Sequence, residues 1–269
     1  MTADSDEDLS DRELDEEPGS FRTRVISGMM EIFVVPELAR RGMKVDPDTV
    51  DRYLVELPAN GDAHTVRLGD QAHLDVILEK EDGVTYFAGV RPQSTAVSGN
   101  SGWVCFLRIP GVEGQALAFD FRRNLMTARR LVTKAESFLR SAENSGEDLL
   151  SPALDSLFSA AELTVQALML IQATADPDHK VRRDWLRRWT EAGNGAPTHH
   201  DVLCNLANLR KDARYGPDDP RLKPDRFRKI LATVREMLEE ARAHTSDTGR
   251  PMMATLAAST LTPTPPPVE

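Results

Sequence analysis

The sequence predicts an α+β chain: an N-terminal helix with a mostly antiparallel sheet, followed by an all-helical bundle. Apolar residues recur at helical spacing from Val25 to Phe33, then fall into short alternating runs between residues 53 and 122. From about Leu125 to His244 they return to helical spacing. Between two of the alternating runs stands Asp82-Gly83, a pair suited to the tight hairpin turn in which both residues need positive φ.

These changes divide the chain into an acidic segment 1–20, an α+β unit 21–124, a helical bundle 125–244 and a Thr/Pro-rich tail 245–269. Both terminal segments are expected to be disordered, being rich in charge or proline and poor in apolar surface. A length of 269 residues accommodates two modest domains. The net charge is −10, but the first 20 residues hold nine acids against Arg12 and so carry eight of those charges. The remainder is close to neutral, and acidity excludes no nucleic-acid partner. The longest apolar run, Leu163–Ile171, is well short of the roughly 20 residues of a membrane span. Cys105 and Cys204 lie in different units without Cys-x-x-Cys spacing. Reduced thiols and an acidic, leaderless start point to the cytoplasm, with no membrane partner.

In the α+β unit the first helix presents Val25, Ile26, Met29, Ile32 and Phe33, is broken or kinked at Pro36 and stops at Gly42. Strands are expected at Tyr53–Leu57, Thr65–Leu68, Leu74–Lys80, Val84–Val90, Trp103–Ile109 and Ala116–Arg122, in one sheet of five or six strands. Pro110–Gly114 reads as a looser hairpin loop. The polar, Gly-rich stretch Arg91–Gly102 is either a solvated connection or a binding loop.

The bundle opens with a helix whose stripe runs Ala128, Leu131, Val132, Ala135, Phe138, Leu139 and Ala142. The second helix starts with Ser151 as N-cap and Pro152 at its first position, and is apolar nearly all round from Leu154 to Ile171, as a central helix must be. The third turns Val181, Trp185, Leu186 and Trp189 inward and Arg182, Arg183, Arg187 and Arg188 elsewhere. The fourth begins at Thr198 with Asp201 in a capping box and stops at Gly216-Pro217; the fifth begins near Pro224.

There is no Walker loop, no Gly-x-Gly-x-x-Gly after a strand, no Gly-x-Ser-x-Gly elbow and no His-Glu-x-x-His. His199-His200-Asp201 is a weak metal candidate, because adjacent histidines on a helix point apart; no metal or cofactor is expected. The informative segment is Leu209-Arg210-Lys211-Asp212-Ala213-Arg214-Tyr215-Gly216. Arg210 and Arg214 are four apart and share a helix face, with Tyr215 beside them. Two guanidinium groups there either bind phosphate in forked geometry, or cap the helix and pair with Asp201, Asp212 or Asp218. The Arg182, Arg183 and Arg187 cluster with Trp185 and Trp189 either contacts RNA or is the basic outer face of an amphipathic helix. Glu162 and Gln166, four apart on an apolar helix, need an interior partner, expected from the Arg210 helix.

The five-helix order, the Glu in Ala161-Glu162-Leu163-Thr164-Val165-Gln166, and the Leu209–Gly216 ending together resemble the HEPN family, over roughly Met126 to Ala241. The resemblance implies an antiparallel bundle, often a homodimer, found in toxin–antitoxin and phage-defence systems. It also implies that active members are metal-independent ribonucleases carrying Arg, four to six residues, then His, with two such motifs facing each other across the dimer. Arg210 matches the arginine, but the permitted histidine positions hold Tyr215, Gly216 and Pro217. Histidine exchanges protons near neutrality, whereas a phenol with an ordinary pKa near 10 is a poor base. The expectation is thus an RNA- or nucleotide-binding or regulatory protein without efficient ribonuclease activity, with a possible protein partner for the N-terminal unit or acidic segment. The alternatives are an active ribonuclease using Arg210 with Tyr215 or a histidine such as His199, and a structural dimerisation module.

Overall fold

The computed structural model describes residues 18–109, 115–174, 178–217, 220–246 and 252–256. The acidic segment before Pro18, the loop at 110–114 and the tail beyond 256 lie outside the described residues.

The first helix, α1 (Pro18–Met29), takes in residues 18–20, which composition alone had grouped with the acidic segment, and runs through a π-turn at Met30–Val34 into α2 (Val35–Arg40). Pro36 therefore does not break the helix. A proline ring clashes with the carbonyl four residues back, here Ile32, and the widened turn contains that residue. α2 stops in a Schellman motif: the Met43 amide donates to the Leu38 carbonyl at 2.9 Å and the Gly42 amide to Ala39 at 3.0 Å. Gly42 sits at φ +66°, where a side chain would be strained.

The strands are β1 (Arg52–Leu57), β2 (Thr65–Leu68), β3 (Leu74–Glu81), β4 (Val84–Pro92), β5 (Gly102–Arg108), β6 (Gln115–Asp120) and β7 (Met252–Leu256). They form two sheets where one was expected: an antiparallel five-stranded sheet in the order β2-β1-β5-β6-β7, and a β3–β4 hairpin. The hairpin turns on Asp82 (φ 50°) and Gly83 (φ 80°), both positive as the two-residue turn requires. Strand alternation places the hairpin. Tyr53, Val55, Val104, Phe106 and Leu117 face α1 and α2, while Leu54, Cys105, Ala116 and Ala118 face the other way and pack on Phe87 and Val90. The unit is helix, sheet and hairpin in three layers. At 252–256, where an irregular tail was expected, the chain pairs with β6 instead.

Glu37 orients Arg41, whose Nη2 links the end of α2 to the Val66 carbonyl at the sheet edge. Glu37 accepts from Arg40 and Arg41, and these bonds outweigh its burial and hold its carboxyl at about 2, against an ordinary 4.5. A depressed folded-state pKa stabilises the fold above the unfolded pKa and loses that contribution as pH falls. Glu37→Gln should therefore melt with less pH dependence than the parent between pH 4.5 and about 2, measured by thermal unfolding across that interval.

The bundle comprises α3 (Leu125–Ser145), α4 (Leu150–Ile171), α5 (His179–Glu191), α6 (Pro197–Tyr215) and α7 (Pro224–Thr245). α4 is the central helix and touches the other four. By length and composition it could cross a membrane, but it is the helix most enclosed by its neighbours here. Its start differs from expectation. Leu149 is the N-cap residue and Ser151 lies inside the first turn, where Pro152 is tolerated because the first-turn amides need no helical acceptor. α6 likewise starts a residue early, at Pro197, with no side-chain cap and no capping box from Thr198 and Asp201.

The two units are fastened where they meet. The Arg123 amide donates to the Ile171 carbonyl at 3.2 Å, and Asn124 Nδ2 to the Leu170 carbonyl at 3.2 Å. Arg122 Nη1 donates to the carbonyls of His244 (2.8 Å) and Ser246 (3.0 Å), and Arg129 Nε to Thr245 (2.7 Å), satisfying carbonyls that the end of α7 leaves without helical donors. The 93–101 loop is a structural strap. Glu56 accepts from the Ser98 amide (2.9 Å) and the Ser101 hydroxyl (3.0 Å), and Asn100 Oδ1 accepts from the Thr127 amide (3.1 Å) in the first turn of α3. Gly99 approaches the Met126 side chain so closely that any Cβ would displace it.

Candidate functional site

α4 is not apolar all round. Asp155, Ser159, Glu162 and Gln166 recur at helical spacing and lie on one stripe, which α5 and α6 cover. Asp155 was not foreseen as a site residue, and it organises the arginines. Arg210 Nε donates to Asp155 Oδ1 at 2.9 Å; Arg214, one turn on, donates through Nε to Oδ1 at 2.8 Å and through Nη2 to Oδ2 at 3.0 Å. Among the described residues Asp155 thus takes the place of Asp201 and Asp212 as the pairing acid; Asp218 lies outside them. Burial opposes the ionisation of Asp155, but the hydrogen bonds from Arg214 and Arg210 prevail and keep the carboxyl below its ordinary range. The Arg210 guanidinium also lies over the Phe158 ring, 4.5 Å from its centroid.

Beyond that ring lies the second acid. His179, at the start of α5, sits 6.1 Å from Phe158 ring to ring, and its Nδ1 contacts Glu162 Oε1. The other oxygen of Glu162 is 3.6 Å from Arg182 Nη1, and both side chains are only 11 % exposed. Two expectations change here. The partner of Glu162 comes from α5 and not from the Arg210 helix, because α4 turns successive parts of its stripe toward different neighbours. Arg182 is an interior residue, separate from the outer basic face. Arg187 is on that face, bonded to Glu191 at 2.9 Å, and Arg183 is half-buried.

The tryptophans belong to a different seam. Trp185 and Trp189 stack at 5.0 Å, and Trp189 Nε1 donates to Glu240 Oε1 at 3.2 Å. The buried His199 places Nδ1 3.3 Å from Glu240 Oε2, so this histidine ties α6 to α7, apart from Arg210. His200 lies against Cys204. Tyr215 ends α6 with 79 % of its surface exposed, next to Arg214.

A five-helix bundle whose central helix offers a carboxylate to two guanidinium groups at a half-exposed edge defines the class of this unit as a helical-bundle module. The family model of the HEPN domain matches residues 128–244, and this part of the chain is a HEPN domain. HEPN domains are generally nucleotide- or RNA-binding or ribonuclease-like. No curated protein matches the chain.

Proposed function

We propose that the HEPN domain binds RNA or a nucleotide at the Arg210–Arg214–Tyr215 edge and does not cleave RNA efficiently. One observation supports this most: Asp155 holds the arginines by few of their donors. Among the described residues only Nε of Arg210 is bonded, so both its η nitrogens keep N–H groups for phosphate oxygens. The exposed Tyr215 ring adds a face on which a base can stack. Arg183 and Arg187 lie on the neighbouring α5 and extend the basic surface. The weak cleavage follows from the phenol at the family's histidine position, since phenols are poor bases near neutrality. Association of two copies, which would bring two such edges together, rests on the family, as does a role in defence or a toxin–antitoxin pair. Sedimentation of the purified chain at tens of micromolar tests the former.

A second reading, an active metal-independent ribonuclease, has one observation in its favour. His179 shares the Phe158 ring with Arg210 and is backed by the buried Glu162, so a histidine is present beside the arginine, though from α5. Incubation with total RNA separates the two. The parent should bind without cutting, and Tyr215→His, which restores the Arg-to-His spacing, should gain cleavage. Cutting by the parent that His179→Ala abolishes would establish the second reading instead.

A further inference from the structure

A second basic site lies in the α+β unit. A cleft of about 650 Å³ separates the end of α2 from β2, and Glu37, Arg40, Arg41, His64, Arg67 and His73 provide its polar wall. That volume falls within the range of roughly 300–1,000 Å³ typical of small-molecule sites. Three guanidinium groups face a single carboxylate there. Glu37 acts as an organiser: Arg40 Nε reaches Oε2 at 2.7 Å and Arg41 Nε reaches Oε1 at 2.6 Å, which sets the two guanidinium groups side by side. Arg41 is fixed further by Nη2 to the Val66 carbonyl at 2.9 Å and Nη1 to Gln71 at 3.2 Å. Nη1 of Arg40 is bonded to nothing among the described residues. Arg67 gives Nη2 to Glu56, which is not part of the cleft wall, at 2.9 Å, while its Nη1 is buried with no hydrogen-bond partner among the described residues. A buried charged donor without an acceptor is costly. At the rim, His64 stands edge-on to Phe33 at 5.3 Å.

We infer that this cleft binds a small phosphorylated ligand, with its phosphate oxygens held by Arg40, Arg41 and Arg67. Planar guanidinium forks match the oxygens of a phosphate, and three guanidinium groups that share only two carboxylates, Glu37 and Glu56, favour an anion over a neutral molecule. The single wall carboxylate is already held by Arg40 and Arg41, so the cleft offers a cation no free carboxylate.

Titration calorimetry of the full chain at low salt, with adenosine, AMP, ADP, ATP and inorganic tripolyphosphate, tests this. Affinity should rise with phosphate number, with adenosine inert and tripolyphosphate bound. Arg40→Gln alters a side chain that is 71 % exposed and Arg67→Lys keeps the charge opposite Glu56, so at neutral pH both should stay folded with only a small shift in melting temperature. Each should weaken ADP and ATP binding by about tenfold, the effect of one lost charge-assisted bond. Because the HEPN edge is itself proposed to take nucleotides, the titrations are repeated in the Arg210→Ala background, where cleft binding should persist and stay sensitive to Arg40→Gln and Arg67→Lys. Adenosine binding as tightly as ADP, no phosphorylated probe binding at all, or binding lost in Arg210→Ala but kept in Arg40→Gln and Arg67→Lys would each overturn the assignment.

Discussion

Glu162→Leu should destabilise the bundle by about 2 kcal/mol, because it removes a buried carboxylate that both His179 and Arg182 face. Arg182 is buried 9 % exposed against the Glu162 carboxylate, and His179 loses the same partner. Leucine matches the shape of the site but supplies no acceptor, so the buried Arg182 guanidinium loses the Glu162 carboxylate. Denaturant unfolding of the purified variant reads the effect directly. The double variant Glu162→Leu with Arg182→Leu should recover much of the loss, since removing both partners of a buried pair costs far less than removing one. A single variant as stable as the parent would show that the Arg182 guanidinium is held without Glu162.

Arg210→Ala should behave oppositely, with a large effect on ligand and a small one on stability. Arg214 makes two bonds to Asp155 without Arg210, so the carboxylate keeps a partner. The stability cost is then about 1 kcal/mol, combining a half-exposed ion pair with the stack on Phe158. RNA affinity should fall about tenfold or more, the consequence of losing a charge-assisted contact to phosphate, and the salt dependence of binding should weaken. Filter binding at two salt concentrations, paired with a melting curve, measures both. Affinity unchanged by the substitution, or a melting transition lost altogether, would reassign Arg210 to the core.

Local signals carried most of the architecture. Thr65–Leu68 occurs as a strand with its expected ends, and Asp82-Gly83 turns the hairpin, because alternation and turn chemistry are properties of adjacent residues. Membership of a sheet is not local. The β3–β4 hairpin alternates like its neighbours, and only packing sets it on the far face, against Leu54 and Cys105. The pairing of 252–256 with β6 was hidden for the same reason, within a stretch whose Thr and Pro content reads as irregular. At the site, Arg210, Arg214 and Tyr215 could be singled out from their spacing on one helix. Asp155 could not, since one short acid among Leu154, Leu157 and Phe158 barely disturbs an apolar pattern, and its partners lie 55 and 59 residues away. A signal was nonetheless present: Asp155, Ser159, Glu162 and Gln166 keep helical spacing, which marks a covered polar stripe. Periodicity names the face of a helix but not the neighbour that covers it, so Glu162 was assigned to α6 when α5 supplies its partners.

The strap between the units has a mechanical meaning. Arg67 in the cleft holds Glu56, Glu56 holds Ser98 and Ser101, and Asn100 between them holds the first turn of α3. Arg122 and Arg129 meanwhile clamp the last turn of α7. Chains of two units commonly swing about a slack tether; this one is joined like a bracket, anchored to the bundle at the start of one helix and the end of another. A torque on the sheet has no free pivot to turn on. It must either be carried into the helices or break the strap, whose rivet is the carboxylate of Glu56.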